Sequence, residues 1–154
     1  PKEAAEFAYK YLAERDVHCL LYQGKYNLFN REPEEEGILR QAKENGTGFI
    51  AFSPLAQGLL TNRYLNGIPE DSRMARGGFL KKEQLTEDVL SKIKALNKMA
   101  EERGQTLAEM ALAWVLKDDL VTSVIIGASS VAQLEDNLKA IRNTSFTKEE
   151  LRRL

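Results

Sequence analysis

The run Thr47-Gly48-Phe49-Ile50-Ala51-Phe52-Ser53-Pro54-Leu55-Ala56-Gln57-Gly58 constrains this chain more than any other stretch. Gly48 to Phe52 has the length and the β-branched and aromatic content of a buried strand. Pro54 ends it, because proline lacks the N–H that a ladder needs. Small residues (Ser53, Ala56 and Gly58) then follow a strand's carboxyl end, where parallel α/β proteins place their ligands. The rest of the chain reads as support for that mouth.

A first strand is predicted at His18 to Tyr22, roughly 30 residues earlier, which is the spacing of a right-handed βαβ crossover. A third is predicted at Ser123-Val124-Ile125-Ile126. Between and around them run helical stripes. Ala5, Ala8, Tyr11 and Leu12 predict a helix ending near Asp16. Glu34, Glu35 and Glu36 put negative charge at the start of a helix through Ile38, Leu39 and Ala42, which Gly46 stops. Val89, Ile93, Leu96 and Ala100 form the next, ending at Gly104. Thr106 and Glu109 make a capping box for a helix whose core face is Leu107, Met110, Ala111 and Trp114. Trp114 and the methionines read as packing. Residues 61–82 carry Gly67, Pro69, Gly77 and Gly78 without a steady period, and predict a long, mobile loop outside the core.

At 154 residues with 43% hydrophobic content, the chain suits one domain. Twenty-two Lys and Arg against 23 Asp and Glu leave a net charge of -1, which provides no field to steer nucleic acid. One cysteine, Cys19, rules out an internal disulfide and reads as a buried strand thiol, so a reducing, cytoplasmic location is expected. No stretch approaches the ~20 apolar residues of a membrane span. A single His and a single Cys cannot supply a metal cluster, and neither a G-x-G-x-x-G nor a P-loop motif occurs. Pro1 begins a helix with no residue left to cap it, and Thr147 with Glu150 caps one that ends at Leu154. The chain is therefore expected to be a segment of a longer protein.

Candidate binding residues sit at the predicted strand ends. Gln23, Tyr26 and Asn27 after the first strand either reach a ligand or bond their own loop. Arg63, Arg73 and Arg76 in the long loop either meet a phosphate or stay solvated. After the third strand, Gly127 to Ser130 leads into a helix that Ser130 and Gln133 cap. That is equally the pattern of a capped helix and of an anion site with free amides. Gln133, Asp136 and Asn137 share the first turns of that helix. His18 lies at the start of its strand and reads as structural.

Taken in order, Gln23-x-x-Tyr26-Asn27-Leu28-x-Asn30-Arg31, Ala51-Phe52-Ser53-Pro54-Leu55-Ala56-Gln57-Gly58-Leu59-Leu60-Thr61, Gly67-Ile68-Pro69-x-x-Ser72-Arg73 and Gly127-Ala128-Ser129 with Gln133-Leu134-x-x-Asn137 resemble the aldo-keto reductase superfamily. The resemblance is greatest to the branch of potassium-channel beta subunits and bacterial glyceraldehyde 3-phosphate (methylglyoxal) reductases. It implies the C-terminal half of a (β/α)8 TIM barrel, an α/β fold, running from the fifth helix through the eighth strand and its helix. The chain would supply three parallel strands with flanking helices.

The resemblance also implies NADPH bound across the barrel mouth. Gln23 would bond the nicotinamide carboxamide and Phe52 would stack on its ring. Ser53, Leu55 and Gln57, with Arg63 and Arg73, would face the pyrophosphate, and Gly127, Ser129, Gln133, Asp136 and Asn137 the adenosine phosphate. Asp136 stands where the family usually has Glu, and Ala128 where many relatives have Lys. The family's Asp, Tyr, Lys and His tetrad matches no position here, so no catalytic residue is expected and Tyr26 is not the family's acid.

The implied activity is reduction of small aldehydes by a hydride from the nicotinamide, with the proton donor in the missing N-terminal half. The chain alone is expected to be inactive. Its partners would be NADPH, an aldehyde and that missing half. The alternative is a nucleotide-sensing regulatory subunit of the channel beta type. A third possibility is a homo-oligomer, because three parallel strands leave two edges that invite pairing.

Overall fold

The structure, a computed structural model, describes residues 2–70 and 81–154. Three parallel strands, β1 (Leu21–Lys25), β2 (Gly48–Phe52) and β3 (Ser123–Ile125), lie in the order β1-β2-β3. Each connection carries helices, as parallel pairing demands. Before β1 runs α1 (Lys2–Ala13), and between β1 and β2 lie α2 (Glu32–Glu35) and α3 (Ile38–Glu44). The second crossover contains α4 (Glu87–Glu102) and α5 (Leu107–Val115), and β3 leads into α6 (Val131–Leu138) and then α7 (Lys148–Arg153). This parallel sheet with its helices is a partial α/β unit consistent with half of a TIM barrel.

The core lies between the sheet and the helices. Phe49 and Ala51 of β2 are fully buried there with Tyr26, Leu39, Ala111, Trp114 and Val115. A second cluster joins Ile93, Met99 and Ala100 of α4 to Leu107 and Met110 of α5. Phe49 stacks on Tyr22 and meets Tyr26 edge-on. Gly24 is required by that packing, since a Cβ there would stand 2.7 Å from the Phe49 ring. Arg103, Glu150 and Phe146 clamp α7 to the end of α4, with the guanidinium stacked 3.8 Å from the ring centroid.

Several local expectations shift. The first strand is Leu21–Lys25, later than His18 to Tyr22, because pairing matches Leu21 to Gly48 and Lys25 to Phe52. Gln23 therefore lies within β1. Cys19 precedes the strand and is only half-buried. On α1 the buried residue is Tyr9, while Ala8 and Tyr11 are exposed, and the helix stops at Ala13. The acidic run does not start one helix: Gly37, at φ 78°, breaks it into α2 and α3. The expected long loop begins with packed structure, a 3-10 turn over Asn62–Tyr64 in which Tyr64 is 1% exposed. Its Arg73, Arg76, Gly77 and Gly78 lie outside the described residues.

Candidate functional site

At the carboxyl ends of β2 and β3 lies an open cavity of about 650 Å³. One wall is the loop after β2, contributing Phe52, Ser53, Pro54, Leu55, Gln57, Gly58, Thr61, Arg63 and Tyr64. The other is the end of β3 and the turn after it, contributing Ile125, Ile126, Gly127, Ala128, Ser129 and Gln133. In-register pairing of Phe52 with Ile125 brings the two walls together. A second cavity of about 440 Å³ shares Thr61, Arg63 and Gln133 with the first. It reaches Asp136 and Asn137 of α6 and is also lined by Asn62, Pro69, Thr106 and Ala108.

The loop after β2 holds a sharp, unusual path. Ser53, Ala56 and Gln57 have φ of 52°, 46° and 60°, the left-handed region that side chains rarely enter. Pro54, Leu59 and Leu60 anchor the loop in the core. Thr61 donates its hydroxyl to the Gly58 carbonyl at 2.7 Å and caps the turn carrying Arg63.

The turn after β3 is more open. Ser130 accepts the Gln133 N–H and so caps α6. The second half of the expected capping box is displaced by one residue. Gln133 Oε1 accepts the Ser129 N–H at 2.7 Å and the Ser129 hydroxyl at 3.0 Å, leaving the Ser130 N–H out of the box. The Ser129 amide is therefore already bonded, and an incoming anion would compete with Gln133 for it. Asp136 is exposed and engaged by Lys139 at 2.6 Å. Asn137 is 5% exposed, and its buried Nδ2 has no hydrogen-bond partner among the described residues. A buried amide left this way fits a site that receives an acceptor from a ligand.

Of the residues singled out in the sequence, Phe52, Ser53, Leu55, Gln57, Arg63, Gly127, Ser129 and Gln133 line the larger cavity, and Asp136 and Asn137 the smaller. Gln23 lines neither. It pairs with Ile50, below Phe52, and is exposed on the face of the sheet away from the helices. Thr61, Tyr64, Ile125 and Ile126 were not singled out. Their signal was position alone: two continue the loop beyond Gly58, Ile125 ends β3 beside the mouth, and Ile126 follows it.

Tyr26 and Asn27 face elsewhere than the cavity. Tyr26 is fully buried against Trp114, its hydroxyl donating to Glu34 Oε2 at 3.1 Å and accepting from Lys117 Nζ at 2.8 Å. Burial, and then the Glu34 charge, push its pKa up. Burial would raise Glu34 as well, but the Lys117 and Arg31 charges hold that carboxyl below its usual range. Lys117 also sits 4.2 Å from the Trp114 ring centroid. This cluster belongs to the helix layer. No group of three or more His, Cys, Asp or Glu with metal-binding placement occurs among the described residues, and no described helix is long and apolar enough to cross a membrane.

The aldo/keto reductase family model matches residues 3–154. L-glyceraldehyde 3-phosphate reductase of Escherichia coli (strain K12) is 52% identical over 144 residues, 91% of this chain and 42% of that protein. A probable voltage-gated potassium channel subunit beta of Arabidopsis thaliana is 40% identical over 128 residues, 81% of this chain and 39% of that one. Among solved structures, an aldo-keto reductase from Bacillus halodurans in its holo form matches with a TM-score of 0.66 and 26% identity, over 96% of this chain and 44% of that one. The chain thus spans about two-fifths of the length of the curated relatives it matches.

Proposed function

The chain belongs to the aldo/keto reductase family, and from that premise we propose that it is the NADPH-binding part of a reductase for small aldehydes. The observation that carries this reading is the pair of joined cavities along the ends of β2 and β3 and the start of α6. They share Thr61, Arg63 and Gln133, and together they offer the room that an extended dinucleotide needs. The orphaned Nδ2 of Asn137 supports placing the adenosine end in the smaller cavity. In this reading Phe52 packs against the nicotinamide, and Gln23 reaches its carboxamide from β1. Ser53, Leu55, Gln57, Arg63 and Arg73 hold the pyrophosphate, and Gly127, Ser129, Gln133, Asp136 and Asn137 the adenosine phosphate. When bound, the reduced nicotinamide supplies a hydride to a carbonyl carbon. Phe52 and Ile125 exclude water from one side of that ring.

Small aldehydes are the substrate class proposed: glyceraldehyde 3-phosphate on the likeness to the Escherichia coli reductase, and methylglyoxal on the family resemblance alone. Tyr26 is not offered as the proton donor, because its hydroxyl is buried between Glu34 and Lys117. The proton would come from outside these 154 residues, the chain alone would be inactive, and the whole protein would work in the cytoplasm. Titrating NADPH into the chain and following nucleotide fluorescence tests the reading. Saturable binding without oxidation of NADPH by methylglyoxal is expected. Absence of binding overturns the site, and turnover at about 10 s⁻¹, an ordinary enzymatic rate, overturns the division of labour.

A further inference from the structure

We propose that Asn27 is a positioning residue for the nucleotide site, acting through Ser53, and this rests on the reading of the cleft given above. Asn27 is 1% exposed and does not line the cavity. Its Oδ1 accepts the N–H groups of Phe29 and Asn30, both at 2.9 Å, which closes the tight turn after β1. Its Nδ2 donates across to the Ser53 carbonyl at 2.9 Å, 26 residues further along the chain. Two N–H donors on one side and a carbonyl on the other permit one orientation of the amide.

That single bond falls where the cavity wall is most strained. Ser53 follows Phe52 directly and has φ 52°, with Ala56 and Gln57 also left-handed. The Ser53 carbonyl accepts from Asn27 Nδ2 and from the Ala56 N–H at 3.0 Å, so both its lone pairs are used. One residue earlier, the Phe52 carbonyl accepts the Tyr26 N–H at 3.4 Å. Consecutive residues at the end of β1 thus fix consecutive carbonyls at the end of β2. Tyr26 is in turn locked by Glu34 and Lys117, so the support for the cavity wall is itself rigid. The position needs a side chain that donates at one end and accepts at the other, which selects an amide over a carboxylate or an alkyl group.

A double-mutant cycle tests this on the 154-residue chain, with Asn27→Asp, Ser53→Gly and the pair. Aspartate keeps the shape and the acceptor but loses the donor. Glycine keeps the backbone carbonyl that accepts from Asn27 but takes the left-handed φ without the Cβ penalty, so the bond no longer has strain to hold. Asn27→Asp is expected to weaken NADPH binding about tenfold, and less than about twofold in the Ser53→Gly background. The urea midpoint should show the same pattern. Equal losses in both backgrounds would mean that Asn27 does not act by holding the strained Ser53 backbone, and no loss in either would mean that the bond is idle; each overturns the proposal. If the chain binds no NADPH, the nucleotide reading fails while the midpoint still reports the Asn27–Ser53 coupling. Should Asn27→Asp fail to fold in both backgrounds, Asn27→Ser replaces it. Its hydroxyl accepts in the turn but stops one bond short of Nδ2, and the same outcomes decide.

Discussion

Phe49 and Ala51 on one face of β2 are fully buried, whereas Ile50 and Phe52, one residue away on the other face, are half-open. The contrast continues across the sheet. Tyr22 and Val124 pack into the helix-side core, while Leu21, Gln23, Lys25, Ser123 and Ile125 are exposed on the opposite side. Parallel strands carry apolar residues on both faces because such sheets are covered twice. In the described residues only the helix side is covered, and the open side rises to Phe52 and Ile125 at the cavity. One face thus builds the core and the other leads to the cavity.

The largest test of that division is Phe49→Ala. Removing a fully buried aromatic that contacts Tyr22 and Tyr26 is expected to cost about 3–5 kcal/mol in urea unfolding. Ile50→Ala, on the open face, is expected to cost less than about half as much. Equal costs would break the comparison. Phe52→Ala sharpens it from the other side. Folding stability should fall by less than about 1 kcal/mol, while NADPH affinity falls about tenfold through loss of ring stacking. A loss of stability as large as that of Phe49→Ala, with affinity unchanged, would return Phe52 to the core.

This asymmetry explains what could be read from the sequence. Gly48 to Phe52 was legible as a strand because its run of apolar residues has one interpretation, and Thr106 with Glu109 because a capping box is local. The first strand was misplaced because Val17 to Tyr22 is the more apolar run, whereas pairing with β2 selects Leu21 to Lys25. Tyr9 was passed over for Tyr11, since both suit the helix and only the tertiary contact distinguishes them. Among the residues that line the cavity, strand-end position pointed to Ser53, the capped helix start to Gln133, and the family resemblance to Phe52. Tyr64 looked like loop, because its burial depends on residues distant in sequence.

A smaller effect comes from the helix side. Glu34 is held below its ordinary value of 4.5 against the pull of burial, by Lys117 and Arg31. A carboxyl depressed on folding contributes stability above its unfolded pKa and loses it as pH falls through the folded value. The chain should therefore weaken progressively below about pH 4.5, and Glu34→Gln should flatten that acid limb while lowering stability at pH 7. A Glu34→Gln chain with an unchanged acid slope would mean that the cluster around Tyr26 does not sense pH.

The smallest expected effect lies on the open side, at Gln133. Its side-chain carbonyl occupies both donors of Ser129, and the residue lines both cavities, so it orders the turn and, in the proposed reading, also faces the nucleotide. Gln133→Ala leaves the Ser130 cap of α6 intact, because that bond uses the backbone N–H. Stability should change by less than about 0.5 kcal/mol, because the half-buried side chain makes its two bonds only to the exposed Ser129. NADPH binding should weaken about threefold, the loss of one modest hydrogen bond. The opposite sign would be equally informative. Tighter binding would show that Gln133 closes the Ser129 amide against the nucleotide, making the turn after β3 a guarded wall of the cleft, in contrast to the pre-set loop after β2.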